Sequence, residues 1–231
     1  LEKGHEYFEE KSYVNAQTLY ELAIQYYRGK TEAEELFFKY AYTFYYLGEY
    51  ISSSHYFGNF ASTFYNSKYK EEAAFMSAYS HYKLSPNYKL DQSYSLKAIE
   101  AFQEFTNNYP ESTRVQECNE LIDEMRRKLE VKAFAEGELY YQIGQYQAAV
   151  VSLQNMLKNF PGAKEEEKAK LLLVKGSFIW AENSIVQKRK ERYEQAKKFG
   201  LKYKNKIKNR SYKREIETIL RKIDKILNKK V

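Results

Sequence analysis

The chain has 231 residues, with 38 Lys/Arg against 31 Asp/Glu and 24 tyrosines. Its three prolines and nine glycines are few, as a nearly all-helical chain requires. Short, interrupted apolar runs leave room within these residues for neither a membrane-spanning helix nor a signal peptide, and the single Cys118 excludes a disulfide framework or a cysteine-rich zinc site.

In chain order, Leu1 to Gly4 already read as the middle of a helix, so the natural protein is expected to extend upstream. A second helical stretch runs to about Lys30 and packs through Ala16, Tyr20 and Ala23. Residues 31–68 repeat that pair, with Phe37, Tyr40, Ala41 and Phe44 packing from one helix and Ser53, Phe57 and Phe60 from the next. Residues 69–112 repeat it again through Ala74, Ala78, Ala98, Phe102 and Phe105, closing at Pro110. Between these two helices, Ser85-Pro86-Asn87-Tyr88-Lys89-Leu90-Asp91-Gln92 is an insertion, because Pro86 stops the helix. Residues 112–143 hold a helical period through Val115, Cys118, Leu121, Ile122, Met125, Leu129 and Phe134. They predict one unusually long helix or two nearly continuous ones. Its partner helix carries Ala149, Leu153 and Met156 and stops at Pro161. A further pair starts near Lys164 with Leu172, Gly176 and Ile179, followed by a basic helix over 188–203. The last helix, 211–228, has an apolar stripe of Tyr212, Ile216, Ile219, Leu220, Ile223, Ile226 and Leu227.

These pairs are copies of one another. Tyr45-Tyr46-Leu47-Gly48-Glu49-Tyr50 recurs as Tyr140-Tyr141-Gln142-Ile143-Gly144-Gln145-Tyr146, and in degraded form as Tyr7-Phe8-Glu9-Glu10-Lys11-Ser12-Tyr13. Gly4, Ala41, Ala78, Gly137 and Gly176 share one small-residue position. Period and pattern are those of tetratricopeptide repeats, about 34 residues each. The expected fold is all-α: a right-handed superhelical solenoid of about five such repeats with a C-terminal capping helix. Residues 1–112 form the first three repeats; residues 113–231 hold the long helix, repeats four and five and the basic end.

In such repeats the first helix of each pair lines a concave face. The corresponding stripes are Leu1, His5, Phe8; Phe38, Tyr42, Tyr45; Phe75, Tyr79, Tyr82; Phe134, Glu138, Tyr141; and Leu173, Ser177, Trp180, each at i, i+4, i+7. Phe8, Phe38, Tyr42, Tyr45, Phe75, Tyr79 and Tyr82 are the candidate peptide-binding groove, an aromatic load that suits an interaction site. Burial of the same rings against one another is the competing reading.

Catalytic chemistry is not specified. There is no glycine-rich phosphate loop, His-Glu-x-x-His pattern or nucleophile elbow. His5, His55 and His81 are far apart, and neither a metal nor another cofactor is expected. Glu32, Glu34 and Glu35, like Glu165, Glu166 and Glu167, read as acidic first turns that suit the helix dipole. From Gln187 onward the chain carries 18 Lys/Arg and 5 Asp/Glu, a net of +13; the rest, with 20 and 26, is at −6. That basic end reads as solvated helix faces first, then as a surface for anionic lipid or an acidic protein. Nucleic acid comes last, since Lys202-Tyr203-Lys204-Asn205-Lys206 lacks a recognition motif.

Several segments carry a family resemblance: residues 40–50; Glu72-Ala73-Ala74-Phe75-Met76-Ser77-Ala78-Tyr79; Leu84-Ser85-Pro86 with Leu90-Asp91-Gln92; Ala98-Ile99-Glu100-Ala101-Phe102; residues 117–124; and Ala181-Glu182-Asn183-Ser184 followed by Glu191-Arg192-Tyr193. The chain resembles the BamD family, tetratricopeptide lipoproteins of the outer-membrane β-barrel assembly machinery, in its Bacteroidetes-like form. The resemblance implies a non-enzymatic scaffold on the periplasmic face of the outer membrane, held by a lipid anchor whose cysteine precedes Leu1. It implies that the first repeats receive aromatic-ended signals of unfolded β-barrel precursors and that later repeats dock on the periplasmic domains of the barrel insertase. Lys11 stands where the family carries Gly, which predicts a looser turn in repeat one. A different periplasmic or cytosolic repeat adaptor is the alternative.

Overall fold

The structure, a computed structural model, describes residues 1–27 and 29–228. Lys229, Lys230 and Val231, the last residues of the basic end, lie outside them. Among the described residues the chain is all helix, with no strand. The helices are α1 (Glu2–Glu9), α2 (Tyr13–Tyr27), α3 (Ala33–Tyr46), α4 (Tyr50–Thr63), α5 (Lys70–Leu84), α6 (Ser93–Asn108), α7 (Val115–Gln142), α8 (Tyr146–Asn159), α9 (Glu166–Glu182), α10 (Val186–Tyr203) and α11 (Arg210–Asn228). Within 112–143, Val115–Gln142 thus forms a single long helix. No helix among the described residues is long and apolar enough to cross a membrane.

The chain divides into two compact units, Leu1–Arg126 and a second that begins at Arg127. The boundary falls inside α7 and not at residue 112. Cys118, Ile122 and Met125 on the first half of α7 are buried with Phe102 and Phe105 of the first unit, whereas Phe134 joins the core of the second.

In the first unit each helix packs on the next from α1 to α6, as tetratricopeptide repeats do. The shared small residues Gly4, Ala41 and Ala78 are all buried in this packing. A Cβ on Gly4 would come within 2.9 Å of the Tyr20 ring. The insertion at 85–92 is an internally bonded loop. Buried Gln92 donates its amide to the carbonyls of Asn87 (2.9 Å) and Leu90 (3.1 Å), and accepts from the Ser95 hydroxyl at 2.8 Å. Asp91 accepts the Ser93 N–H and so starts α6.

The inter-helix turns after α1, α3 and α7 have the same geometry. Gly48 (φ 79°) and Gly144 (φ 78°) are left-handed, and so is Lys11 at φ 60°. In each, the left-handed residue donates its N–H three residues back, and the next residue donates five back: Lys11 to Phe8 and Ser12 to Tyr7, Gly48 to Tyr45 and Glu49 to Phe44, Gly144 to Tyr141 and Gln145 to Tyr140. The expected looseness at Lys11 is therefore not found. The carbonyls at the end of α1 are satisfied as elsewhere, and the lysine accepts a backbone conformation that glycine would take without strain.

In the second unit α8 packs on α9, α9 on α10, and α11 on both α9 and α10. Buried Ile216, Leu220 and Ile223 are the inward face of the amphipathic α11, its expected covering role. The entry to α11 is held by Glu167, whose carboxylate accepts the backbone N–H groups of Lys208 (2.8 Å) and Asn209 (3.1 Å). Asn209 in turn caps Ser211 and Tyr212.

Candidate binding face

The aromatic stripes of the first unit come together on α1, α3 and α5, but they do not form one uniformly open groove. Phe38 is 9% exposed and Phe75 is 2% exposed. Both are core residues, and the expectation that they line a wet face is corrected. The Tyr69 ring stacks on Phe38 at 4.5 Å, and Phe57 and Phe60 close its other sides. The Arg114 guanidinium lies 4.1 Å over Phe75, with Phe102 and Phe105 beneath.

Phe8, Tyr42, Tyr45, Tyr79 and Tyr82 are half-buried and remain on the surface. The four tyrosines form a continuous run of ring contacts. Tyr45 meets Tyr42 at 6.4 Å and Tyr79 at 6.3 Å, and Tyr79 meets Tyr82 at 5.5 Å. Two residues missed by the stripe rule, Tyr13 and Tyr46, extend the run to Phe8. Tyr46, 49% exposed, stacks on Tyr42 at 5.6 Å and on Tyr13 at 4.5 Å, and its edge meets Phe8 at 6.1 Å. Tyr46 lies four residues after Tyr42, at the end of α3 just before the turn at Gly48. Its i+4 spacing from Tyr42 was the one signal that could have found it.

Two polar tips of the run, those of Tyr42 and Tyr82, are tied to carboxylates. Tyr42 donates to Glu72 at 2.6 Å, and Glu72 also accepts from Arg114 at 2.5 Å. Tyr82 donates to Glu124 at 2.8 Å. Burial, then the bond to Glu124, pushes the Tyr82 phenol up to about 12; the Tyr42 phenol is raised by burial and by Glu72. Both phenols therefore stay protonated donors across the physiological range.

The remaining stripes go elsewhere. His5 is bonded to the Tyr20 hydroxyl at 2.9 Å. In the second unit Phe134, Leu173 and Ser177 are buried, Glu138 pairs with Lys168 at 2.6 Å, and Tyr141 is half-buried. Trp180 is half-buried under the Arg192 guanidinium. His55 is exposed and bonded to Asn59, while His81 sits in the α4–α5 seam against Ser54. Among the described residues no group of three or more His, Cys, Asp or Glu is placed to hold a metal ion.

What this face offers is partly exposed ring area, with the Tyr42 and Tyr82 hydroxyls engaged, which favours stacking and apolar contact. No curated protein matches the chain. A family model described as YfiO, outer membrane lipoprotein, matches residues 1–194. The chain belongs to this BamD-like family of outer membrane lipoproteins.

Proposed function

We propose that the chain is a non-enzymatic receptor of the outer-membrane β-barrel assembly machinery, in its Bacteroidetes-like form. Its first unit takes up extended, aromatic-ended segments of unfolded barrel precursors, and its second unit docks on the periplasmic domains of the barrel insertase. The family's description, an outer membrane lipoprotein, supports a place at that membrane. A lipid anchor upstream of Leu1 holds the protein at the periplasmic face. The observation that carries the reading is the run Tyr13–Tyr46–Tyr42–Tyr45–Tyr79–Tyr82, a surface of ring faces on three successive repeats.

Each half-exposed ring has on the order of 100 Å² left to cover, or about 2 kcal/mol before ordering costs. Binding is weak and reversible, as a hand-off requires. The test is fluorescence anisotropy of a labelled peptide of alternating apolar residues ending in phenylalanine. Tyr45→Ala with Tyr79→Ala weakens binding about 100-fold with the helical signal intact; unchanged binding sinks the groove. Binding of the insertase's periplasmic domains at moderate salt tests the second half of the proposal separately.

A further inference from the structure

The turn between α9 and α10 breaks local rules. Ile185 occupies the N-cap of α10, where Ser, Thr, Asp or Asn is preferred, and it makes no side-chain cap. Val186 follows at the first helical position. Ile185 is 67% exposed and Val186 is 75% exposed. Two β-branched side chains at the tip of a turn bury little of their apolar area in the fold, and such a departure marks a surface with another purpose.

Cations surround this tip. Lys188, Arg189, Lys190 and Arg192 follow within two turns, against Glu191 and Glu194 on the same helix and Glu182 at the end of α9. Glu191 pairs with Lys188 at 3.5 Å. The far end of α11 lies at the same end of the unit, because Ile223 and Leu227 share a cluster with Phe178, Ala181 and Tyr193. It adds Lys222, over the Phe178 ring, and exposed Lys225 and Ile226. Trp180, the chain's one tryptophan, sits beside the turn under Arg192 at 4.2 Å. Its carbonyl accepts the Ser184 hydroxyl, which also bonds Arg192.

We infer that this end of the second unit is a membrane-docking tip, with Ile185 and Val186 entering the headgroup layer of an anionic lipid surface and the surrounding lysines and arginines pairing with its phosphates. Size and charge select that occupant. The two side chains expose on the order of 200 Å² of apolar surface, far below the ~800 Å² that a stable protein partner covers. An apolar centre ringed by cations with a neighbouring tryptophan is the pattern of an interfacial contact. The contact is distinct from a lipid anchor and from the aromatic face.

The experiment is co-sedimentation of the full chain with vesicles of phosphatidylglycerol and phosphatidylcholine, one part to two, and with phosphatidylcholine alone, at low salt. The chain partitions onto the anionic vesicles only, and Trp180 emission shifts to the blue. Ile185→Ser with Val186→Ser reduces the partition at least about tenfold, and Lys188→Gln with Lys190→Gln reduces it about 20-fold. Serine at an N-cap strengthens the helix start, so a loss in the serine pair is not unfolding, and circular dichroism checks this. Absence of partition onto anionic vesicles overturns the proposal, as does partition that the serine pair leaves unchanged. Tighter, serine-sensitive binding to polyglutamate than to vesicles also overturns it, in favour of an acidic protein.

Discussion

Replacing Lys11 with glycine is expected to stabilise the first unit, which is unusual for a change to glycine. Lys11 is exposed and left-handed, at the position filled by Gly48 and Gly144 in two other turns with the same hydrogen bonds. A Cβ in that conformation costs about 1–2 kcal/mol. Glycine removes that cost but adds about 0.4–1 kcal/mol of freedom to the unfolded chain. The net gain in Lys11→Gly is about 0.5–1 kcal/mol, or a rise of about 2–4 °C in the melting midpoint. Two controls separate backbone from side chain. Lys11→Ala keeps the Cβ and loses the ammonium, so it stays within about 0.5 kcal/mol of the parent. Gly48→Ala places a Cβ where nothing lies within 4 Å, so its net loss of about 0.5–1 kcal/mol is backbone strain less the unfolded-state term, with no steric clash. Urea and thermal unfolding followed by circular dichroism read all three. If Lys11→Gly is no more stable than Lys11→Ala, the argument from the shared turn is wrong.

Other consequences follow from the same packing. Gly137 and Gly176 hold equivalent places but differ in room. A Cβ on Gly137 would sit 2.6 Å from Leu153, whereas on Gly176 the nearest atoms are 3.6 Å away. Gly176→Ala should gain up to about 1 kcal/mol of helix propensity, and Gly137→Ala should lose about 1 kcal/mol net through overpacking; equal effects in a denaturant titration would contradict this. His81 is held below its ordinary value of 6.5, first by burial and then by Lys97, with Nε2 on Ser54 and Nδ1 buried without a partner. The unfolded chain binds the proton more tightly, so this stability is complete above pH 6.5 and is lost as pH falls below it. His5, lowered chiefly by burial, adds in the same direction. His81→Gln should flatten the fall in the unfolding midpoint between about pH 7 and pH 5, and a parent midpoint that is constant over that range would contradict the assignment. Buried Cys118, its thiol pushed up to about 11 by burial, should react with maleimide only as fast as the chain opens.

Much of the fold was legible because its signals are local. Pro86, Pro110 and Pro161 stop helices, and the lack of a breaker between Val115 and Gln142 leaves one long α7. Apolar spacing identified the buried face of α11. The stripe rule failed at its first position for a reason no single helix contains. In each case the covering group arrives from a segment about 30 to 40 residues later: Tyr69 over Phe38, Arg114 over Phe75, and the Lys168 ammonium 5.4 Å over Phe134. Azimuth on a helix says which way a ring points, and it does not say what the next repeat lays on top.

The same arrival of the next repeat changes what the open rings can do. Glu72 lies in the first turn of α5, where acidic residues favour the helix dipole, and it also receives the Tyr42 hydroxyl and Arg114. Glu124 on α7 receives Tyr82 in the same way. Because each carboxylate fixes a phenol, these two tyrosines meet a ligand with rings already oriented and less side-chain entropy to lose. Tyr42→Phe should then weaken peptide binding more through a loosened ring than through a lost ligand hydrogen bond. Glu72→Gln, which leaves the Tyr42 hydroxyl in place but weakens its tether, should weaken binding to a similar few-fold extent. A Tyr42→Phe loss with Glu72→Gln unchanged would mean that the hydroxyl contacts the peptide directly, and that the carboxylates serve only the fold.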